Sequence, residues 1–118
     1  MTTNIRAEDH APPAIKQLSA LALKTMLDGG EPFEFVDVRT REEQAFARIP
    51  GARLLDEAYH RQLLALERDT PLVFHCHHGV RSQAAAEYFL NQGFRNLYNL
   101  QGGIDAWSQL VDPGVPRY

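Results

Sequence analysis

Cys76, the one cysteine of this 118-residue chain, lies in a polar run that could carry out chemistry. An apolar run over residues 71–75 precedes it and strong helix formers over 84–90 follow it, which predicts a strand, a tight loop and a helix N-terminus. In such a turn the backbone N–H groups lack carbonyl partners and the helix dipole favours negative charge. We therefore predict an active-site loop with Cys76 at its entrance. The run reads His75, Cys76, His77, His78, Gly79, Val80, Arg81, Ser82.

The residue types of this loop indicate nucleophilic chemistry by a thiolate. A thiol near N–H donors and an arginine has a lowered pKa and is a better nucleophile at neutral pH. Gly79 allows the backbone to turn closely around a bound group. We expect Arg81 to fold over the loop and hold an oxyanion with two hydrogen bonds. Ser82 is expected either to cap the following helix or to donate to the thiolate.

Two other interpretations of the loop are less favoured. A lone cysteine is often a buried, inert hydrophobic residue, but the polar neighbours of Cys76 argue against burial. The histidines beside it could indicate a metal site, yet structural zinc needs four ligands at separated spacings, and adjacent residues cannot all face one ion. We predict neither a metal nor a cofactor. His77 and His78 are either solvated loop residues or, when protonated, a source of positive charge for an anionic substrate.

Asp37 and Arg39 flank the end of an earlier predicted strand. They could supply supporting charges behind the site. The preferred interpretation is a structural ion pair that fixes the loop after that strand, because ion-pair networks often serve structure alone.

Strand and helix patterns alternate about five times along the chain. This order predicts an α/β domain with a mainly parallel central sheet of about five strands and helices on both faces, in which sites form beyond the carboxyl ends of the strands. Residues 1–14 are polar and are predicted to be a flexible arm before a domain over residues 15–118. The predicted strands cover 15–18, 33–38, 53–55, 71–75 and 96–100, and the predicted helices cover 20–27, a short segment after Arg39, 57–67, 84–90 and 104–110.

The overall composition restricts the partners and the compartment. The net charge of −3 argues against nucleic acid, whose binding rests on clustered Lys and Arg. The first ten residues contain no apolar signal region, and no stretch is long enough to span a bilayer, so we predict no membrane association. A single cysteine without such a signal fits a reducing compartment, and the cytoplasm is the simplest prediction.

With these residues in view, the chain resembles a single-domain rhodanese, a sulfurtransferase of the rhodanese homology family, from about Gln17 onward. Four motifs in the family's order carry the resemblance and make it specific. They are Asp37-Val38-Arg39 with Glu43 behind it, Ile49-Pro50-Gly51-Ala52, the run from Cys76 to Ser82, and Gly93-Phe94 followed by Leu100-Gln101-Gly102-Gly103-Ile104-Asp105-Ala106-Trp107.

The resemblance implies a three-layer rhodanese-like fold and a reaction in two halves. Cys76 would take the outer sulfur of thiosulfate or another persulfide donor, while the amides of residues 77–82 cradle that sulfur. The acceptor would be a thiol, cyanide or a sulfur-carrier protein. With one cysteine in the chain, the acceptor must come from outside. Several thiosulfate-using relatives have Lys or Arg directly after the cysteine, whereas this chain has His77, which leaves the natural donor open.

Two alternative functions use the same residues. Phosphatases of the cell-cycle type share the fold but hold five residues between Cys and Arg, whereas four lie between Cys76 and Arg81, so the shorter cradle suits sulfur better. The second alternative is a sulfur-carrier or protein-interaction module with little turnover of small donors.

Overall fold

The computed structural model, which describes residues 14–118, contains one five-stranded parallel sheet with five helices. The sheet order is β1-β5-β4-β2-β3, so β4 is central, and the predicted α/β architecture is confirmed. The predicted arm lies outside the described residues except for Ala14. The strands are β1 (Ile15–Leu18), β2 (Glu34–Asp37), β3 (Arg53–Leu54), β4 (Leu72–His75) and β5 (Leu97–Leu100), and the helices are α1 (Ala20–Gly29), α2 (Arg41–Phe46), α3 (Glu57–Leu64), α4 (Val80–Asn91) and α5 (Gly103–Leu110).

Apolar side chains form one core on each face of the sheet. Successive residues of a strand point to opposite faces, and the central strand shows this directly. Val73 packs with Trp107 of α5 in one core, and Phe74 packs with Phe89 of α4 in the other. Both faces are therefore covered, as predicted. Among residues 14–118, no helix combines the length and the apolar character needed to cross a membrane.

Three short polar side chains begin helices where the sequence predicts. The Ser19 hydroxyl accepts from the Ala22 amide at 3.1 Å, and the Asp56 carboxylate accepts from the Tyr59 amide at 2.8 Å. Thr40 and Glu43 form a reciprocal capping box at the start of α2. The helix after Asp56 is shorter than predicted and ends at Leu64 rather than near residue 67.

The loop after β4 is attached to the first turn of α5 through its carbonyl groups. The Cys76 carbonyl accepts from the Ile104 amide at 2.9 Å, and the His77 carbonyl accepts from the Asp105 amide at 3.2 Å. Gly103 makes this approach possible, because a Cβ there would lie 2.5 Å from the Cys76 carbonyl oxygen and the backbone has a φ of +61°. Gly103, the first residue of α5, therefore serves the loop as well as the helix.

A buried polar cluster lies at the carboxyl ends of β2 and β4. Arg39 binds the Asp37 carboxylate through Nη2 at 2.8 Å and Nε at 3.0 Å, with both side chains fully buried. Burial raises the pKa of Asp37, but the bonds from Arg39 outweigh it and leave the pKa below its ordinary value. His75 lies 3.7 Å from the same carboxylate, and burial lowers the pKa of its imidazole to about 4. His75 is therefore neutral at pH 7.

Replacing Gly103 with alanine should detach the loop from α5. We expect Gly103→Ala to lower the free energy of unfolding by at least about 2 kcal/mol, because the new Cβ meets backbone atoms at a positive φ. Urea denaturation measures this. Gly29→Ala is the matched control, since a Cβ there meets no atom within 4 Å, and its free energy should change little or rise. Equal effects of the two substitutions would contradict the anchoring role.

The buried imidazole of His75 should make the protein sensitive to mild acid. Its pKa is about 4 when folded against 6.5 ordinarily, so the unfolded chain binds the proton first as the pH falls. Stability present above pH 6.5 is lost on the way to pH 4, by on the order of 3 kcal/mol for this group at about 1.4 kcal/mol per pKa unit. Urea denaturation from pH 8 to 4 should show this loss, and His75→Phe should flatten it. An unchanged slope in His75→Phe would contradict the assignment.

Candidate active site

Cys76 follows the last residue of β4, and the chain then turns back into α4. The Cys76 Sγ accepts from the Gly79 amide at 3.1 Å and from the Ser82 amide at 3.4 Å, and it lies 3.2 Å from the Ser82 hydroxyl oxygen. Contrary to the expectation from its polar neighbours, Cys76 is buried, with 1% of its surface exposed. The groups that touch the sulfur are backbone amides and the Ser82 hydroxyl, so the polar side chains that neighbour Cys76 in the sequence do not expose it to solvent.

These contacts decide the acidity of the thiol. Burial opposes the thiolate and raises the pKa of Cys76, but hydrogen bonds outweigh it and leave the pKa below its ordinary value. The amides of Ser82, Gly79 and His78 contribute, and the Ser82 hydroxyl contributes when its hydrogen points at the sulfur. The environment therefore favours the nucleophilic form, as the sequence indicates.

The residues predicted to cradle the sulfur do not all face it. The backbone amides of Gly79 and Ser82 donate to the sulfur, and the His78 amide contributes to the low pKa of the thiol. The N-cap of α4 is Gly79, in a left-handed conformation, which has no side chain to cap the helix. Ser82 therefore does not cap the helix but faces Cys76. Val80 points outward and is 78% exposed.

Arg81 makes its two hydrogen bonds to a partner within the chain. Its guanidinium binds both carboxylate oxygens of Glu43, at 2.7 and 3.0 Å, and does not fold over the loop as expected. The bonds from Arg81 hold the pKa of Glu43 far below its ordinary value. The Tyr118 hydroxyl donates to the same carboxylate at 2.6 Å. A negative charge therefore neutralises the arginine that the sequence assigns to the substrate.

His77 lies in an aromatic stack at the outer side of the loop. Its ring stacks on Tyr118 with centroids 3.9 Å apart and an angle of 9°, and on His78 at the same distance. Arg39 donates to the Tyr118 hydroxyl at 3.0 Å and to the Ala47 carbonyl at 2.7 Å. Arg39 thus reaches the loop through Tyr118, while its main partner is Asp37. This arrangement agrees with the preferred interpretation of the pair as structural.

A group of possible metal ligands lies beside this stack. His77, His78 and Asp105 bring ligand atoms within 4.8 Å of one another. Imidazole lone pairs lie in the ring plane, and the two rings are stacked face to face, so an ion in the plane of one lies well outside the plane of the other. Asp105 also binds Arg117 at 2.9 Å. The geometry does not fit a metal centre.

Several residues of the site escape the sequence analysis. Glu43 and Gly103 appear there only within the motifs of the resemblance, with no role of their own. Tyr118 gives no signal, because its contact with His77 joins residues far apart in the chain. Asn99, whose side chain lies 2.5 Å from the Ser82 hydroxyl, is a polar residue within a buried strand, and that was the available signal.

Comparison with known proteins gives concordant results. The family described as rhodanese-like domain matches residues 19–110. The thiosulfate sulfurtransferase GlpE of Pseudoalteromonas translucida (strain TAC 125) is 32% identical over 105 residues, which cover 88% of this chain and 99% of the relative. That of Pseudomonas paraeruginosa (strain DSM 24068 / PA7) is 40% identical over 75 residues, covering 63% of this chain and 68% of the relative.

Solved structures agree with the fold. The crystal structure of a rhodanese-like domain protein from Staphylococcus aureus matches with a TM-score of 0.70 and 31% identity, covering 88% of this chain and 99% of that one. A rhodanese-like domain from Anabaena, solved by NMR, matches with a TM-score of 0.71 and 27% identity, covering 83% of this chain and 76% of that one. With a family match over residues 19–110 and a relative of 32% identity aligned over 99% of its length, the chain belongs to the rhodanese-like domain family, as the resemblance of its motifs predicts.

Proposed function

We propose that the protein is a sulfurtransferase that moves a sulfane sulfur from thiosulfate or a persulfide donor to a thiophilic acceptor through a persulfide on Cys76. The observation that carries the proposal is the pair of backbone amides, those of Gly79 and Ser82, that donate to the Cys76 sulfur. The relatives named thiosulfate sulfurtransferase support it. We expect the reaction to take place in the cytoplasm, since a single cysteine fits a reducing compartment.

In the first half-reaction the Cys76 thiolate attacks the outer sulfur of the donor. A bond forms between Sγ and that sulfur, the sulfur–sulfur bond of thiosulfate breaks, and sulfite leaves with the bonding electron pair. With a persulfide donor, a thiolate leaves instead. The backbone amides of the loop then stabilise the negative charge of the terminal sulfur, as an oxyanion hole stabilises oxygen.

In the second half-reaction an acceptor takes the terminal sulfur. A thiolate, cyanide or a sulfur-carrier protein attacks it, and Cys76 leaves as the thiolate that begins the next cycle. The chain has no other cysteine to form a disulfide with Cys76. The persulfide therefore persists until an outside acceptor arrives.

The arrangement of Arg81 speaks against the phosphatase alternative. Phosphate transfer needs a cationic clamp on the phosphoryl oxygens. Here four residues separate Cys76 from Arg81, and the guanidinium binds Glu43. We expect no measurable hydrolysis of an aryl phosphate.

One observation favours a protein acceptor, and with it the sulfur-carrier alternative. Three exposed apolar side chains belong to the loop or to segments that contact it: Val80 at the end of the loop, Tyr118 and Phe46, which are 78%, 41% and 57% exposed. Phe46 packs edge-on against Tyr118 at 5.8 Å, and Tyr118 stacks on His77. Exposed apolar side chains that lie together are typical of interaction surfaces. A carrier would load Cys76 and pass the sulfur on with little turnover of small donors.

Thiocyanate formation from thiosulfate and cyanide tests the proposed chemistry. We expect Cys76→Ser to lower kcat/KM by at least about a thousandfold, because the nucleophile is lost. Lys24→Gln, which removes one exposed ion pair in α1, should retain full activity. Activity that survives Cys76→Ser would refute the proposal. If turnover is negligible but mass spectrometry finds a persulfide on Cys76 after a cysteine desulfurase is supplied, the carrier alternative holds.

The pairing of Glu43 with Arg81 should weaken the binding of thiosulfate. Glu43→Gln keeps a residue that can form the capping box but removes the charge that neutralises Arg81. We expect the KM for the thiosulfate dianion to fall about three- to tenfold, the effect of one partly exposed charge. The measurement is KM in the thiocyanate assay. Glu42→Gln, which removes the same charge one position earlier, should leave it within about twofold. Equal effects of both variants would show that only net charge matters.

A further inference from the structure

Asn99 is a buried polar residue of β5 that lies next to the loop. Its cross-strand neighbours are Phe74 of β4, two positions before Cys76, and Gln17 of β1. It is 3% exposed, and all of its polar atoms have partners. Its Oδ1 lies 2.5 Å from the Ser82 hydroxyl, which in turn lies 3.2 Å from the Cys76 sulfur. The Ser82 hydroxyl therefore connects the Asn99 side chain to the sulfur of Cys76.

The orientation of the Asn99 amide is determined by an acceptor that cannot donate. Nδ2 lies 3.1 Å from the Gly79 carbonyl oxygen, so this side of the amide must carry the hydrogens. The carbonyl side, Oδ1, then faces Ser82. An amide oxygen can only accept a hydrogen bond, so the hydrogen between Ser82 and Asn99 must come from the Ser82 hydroxyl.

The exposed carboxylate of Glu87 requires the same orientation of the Asn99 amide, through two glutamines that lie between them. The Glu87 carboxylate accepts from Gln83 Nε2 at 3.3 Å, which leaves Gln83 Oε1 to accept from Gln17 Nε2 at 2.7 Å. Gln17 Oε1 then accepts from Asn99 Nδ2 at 3.0 Å. Each amide in this series donates toward Glu87 and accepts on its other side. This series therefore places the amide hydrogens of Asn99 on Nδ2 and its acceptor at Oδ1, as the contact with the Gly79 carbonyl also requires.

A hydroxyl has one hydrogen and two lone pairs. With its hydrogen on Asn99, Ser82 presents a lone pair to Cys76 and accepts from the thiol S–H. We propose that Asn99 is a positioning residue that holds the Ser82 hydroxyl hydrogen away from Cys76 and so restrains the formation of the thiolate. The backbone amides of Gly79 and Ser82 still donate to the sulfur. The acidity of the thiol is then a balance, in which the amides promote the thiolate and the Asn99–Ser82 pair opposes it.

The proposal rests on the proposed role of Cys76 as the nucleophile, but its test needs no sulfur transfer. The rate of alkylation by iodoacetamide, measured against pH, gives the thiol pKa, because the thiolate is the reacting form. The protein has one cysteine, so intact-mass detection reads Cys76 alone. A failed thiocyanate assay would reject the sulfurtransferase and leave this measurement intact.

Asn99→Ala should free the Ser82 hydroxyl to donate to the thiolate and lower the thiol pKa by about one unit, the effect of one hydrogen bond to a charged group. Asn99→Val, which keeps a strand-forming residue in β5, should do the same. Asn96→Ala is the matched control, since it removes an amide just before β5 that binds Lys16, and should not shift the pKa. Circular dichroism and thermal melting establish that each variant is folded.

Ser82→Ala separates positioning from a general effect on structure. In that background Asn99→Ala should produce no shift, because the hydroxyl through which Asn99 acts is gone. Ser82→Ala alone should not raise the pKa, whereas a serine that donates to the thiolate would make it rise. A rise in Ser82→Ala, no shift or an upward shift in the Asn99 variants, or an equal shift without Ser82 would each overturn the proposal.

Discussion

The attachment of the Cys76 loop to the first turn of α5 is the constraint on which the site depends. In a trans peptide the C=O and N–H groups point in opposite directions. The carbonyls of Cys76 and His77 are bound by amides of α5, so the N–H groups of the same two peptide units, those of His77 and His78, point away from that helix. The His78 amide accordingly contributes to the low pKa of the thiol. Gly103 allows the two backbones to come this close.

This attachment explains how a buried thiol can favour its charged form. Burial usually makes a cysteine inert, because the thiolate loses its hydration. Here the loop supplies fixed amides in place of water, and their positions are set before any substrate arrives. The cost of ordering the loop is met by folding, through its bonds to α5 and by the turn at Gly79. Burial and a favoured thiolate are therefore compatible in this fold, and the exposed fraction of the cysteine alone does not reveal its acidity.

Local features of the chain predict most of the fold and the loop that holds the candidate nucleophile. Residues close in sequence determine the caps of three helices and the apolar strand before Cys76, so the sequence indicates them directly. The caps are Ser19, Thr40 and Asp56. The orientation of Arg81 is different, because it depends on Glu43, 38 positions earlier. The contact of His77 with Tyr118 and that of Ser82 with Asn99 also join distant segments. Side-chain partners set by tertiary packing leave no periodic signal, and these are the parts that sequence reasoning misses.

The charges near the site are largely neutralised by one another, which leaves dipoles to act on the sulfur. Asp37 is paired with Arg39, Arg81 is paired with Glu43, and His75 is neutral at pH 7 because its pKa is about 4. The groups that touch Sγ are two amides and a hydroxyl, none of which carries a formal charge. Fixed dipoles at short range need no counter-ion and are little screened by salt. Ionic strength should therefore affect the approach of an anionic donor and not the stability of the thiolate. Of the groups that touch the sulfur, only the Ser82 hydroxyl can either donate or accept, so the direction of its hydrogen bond adjusts the acidity of the thiol.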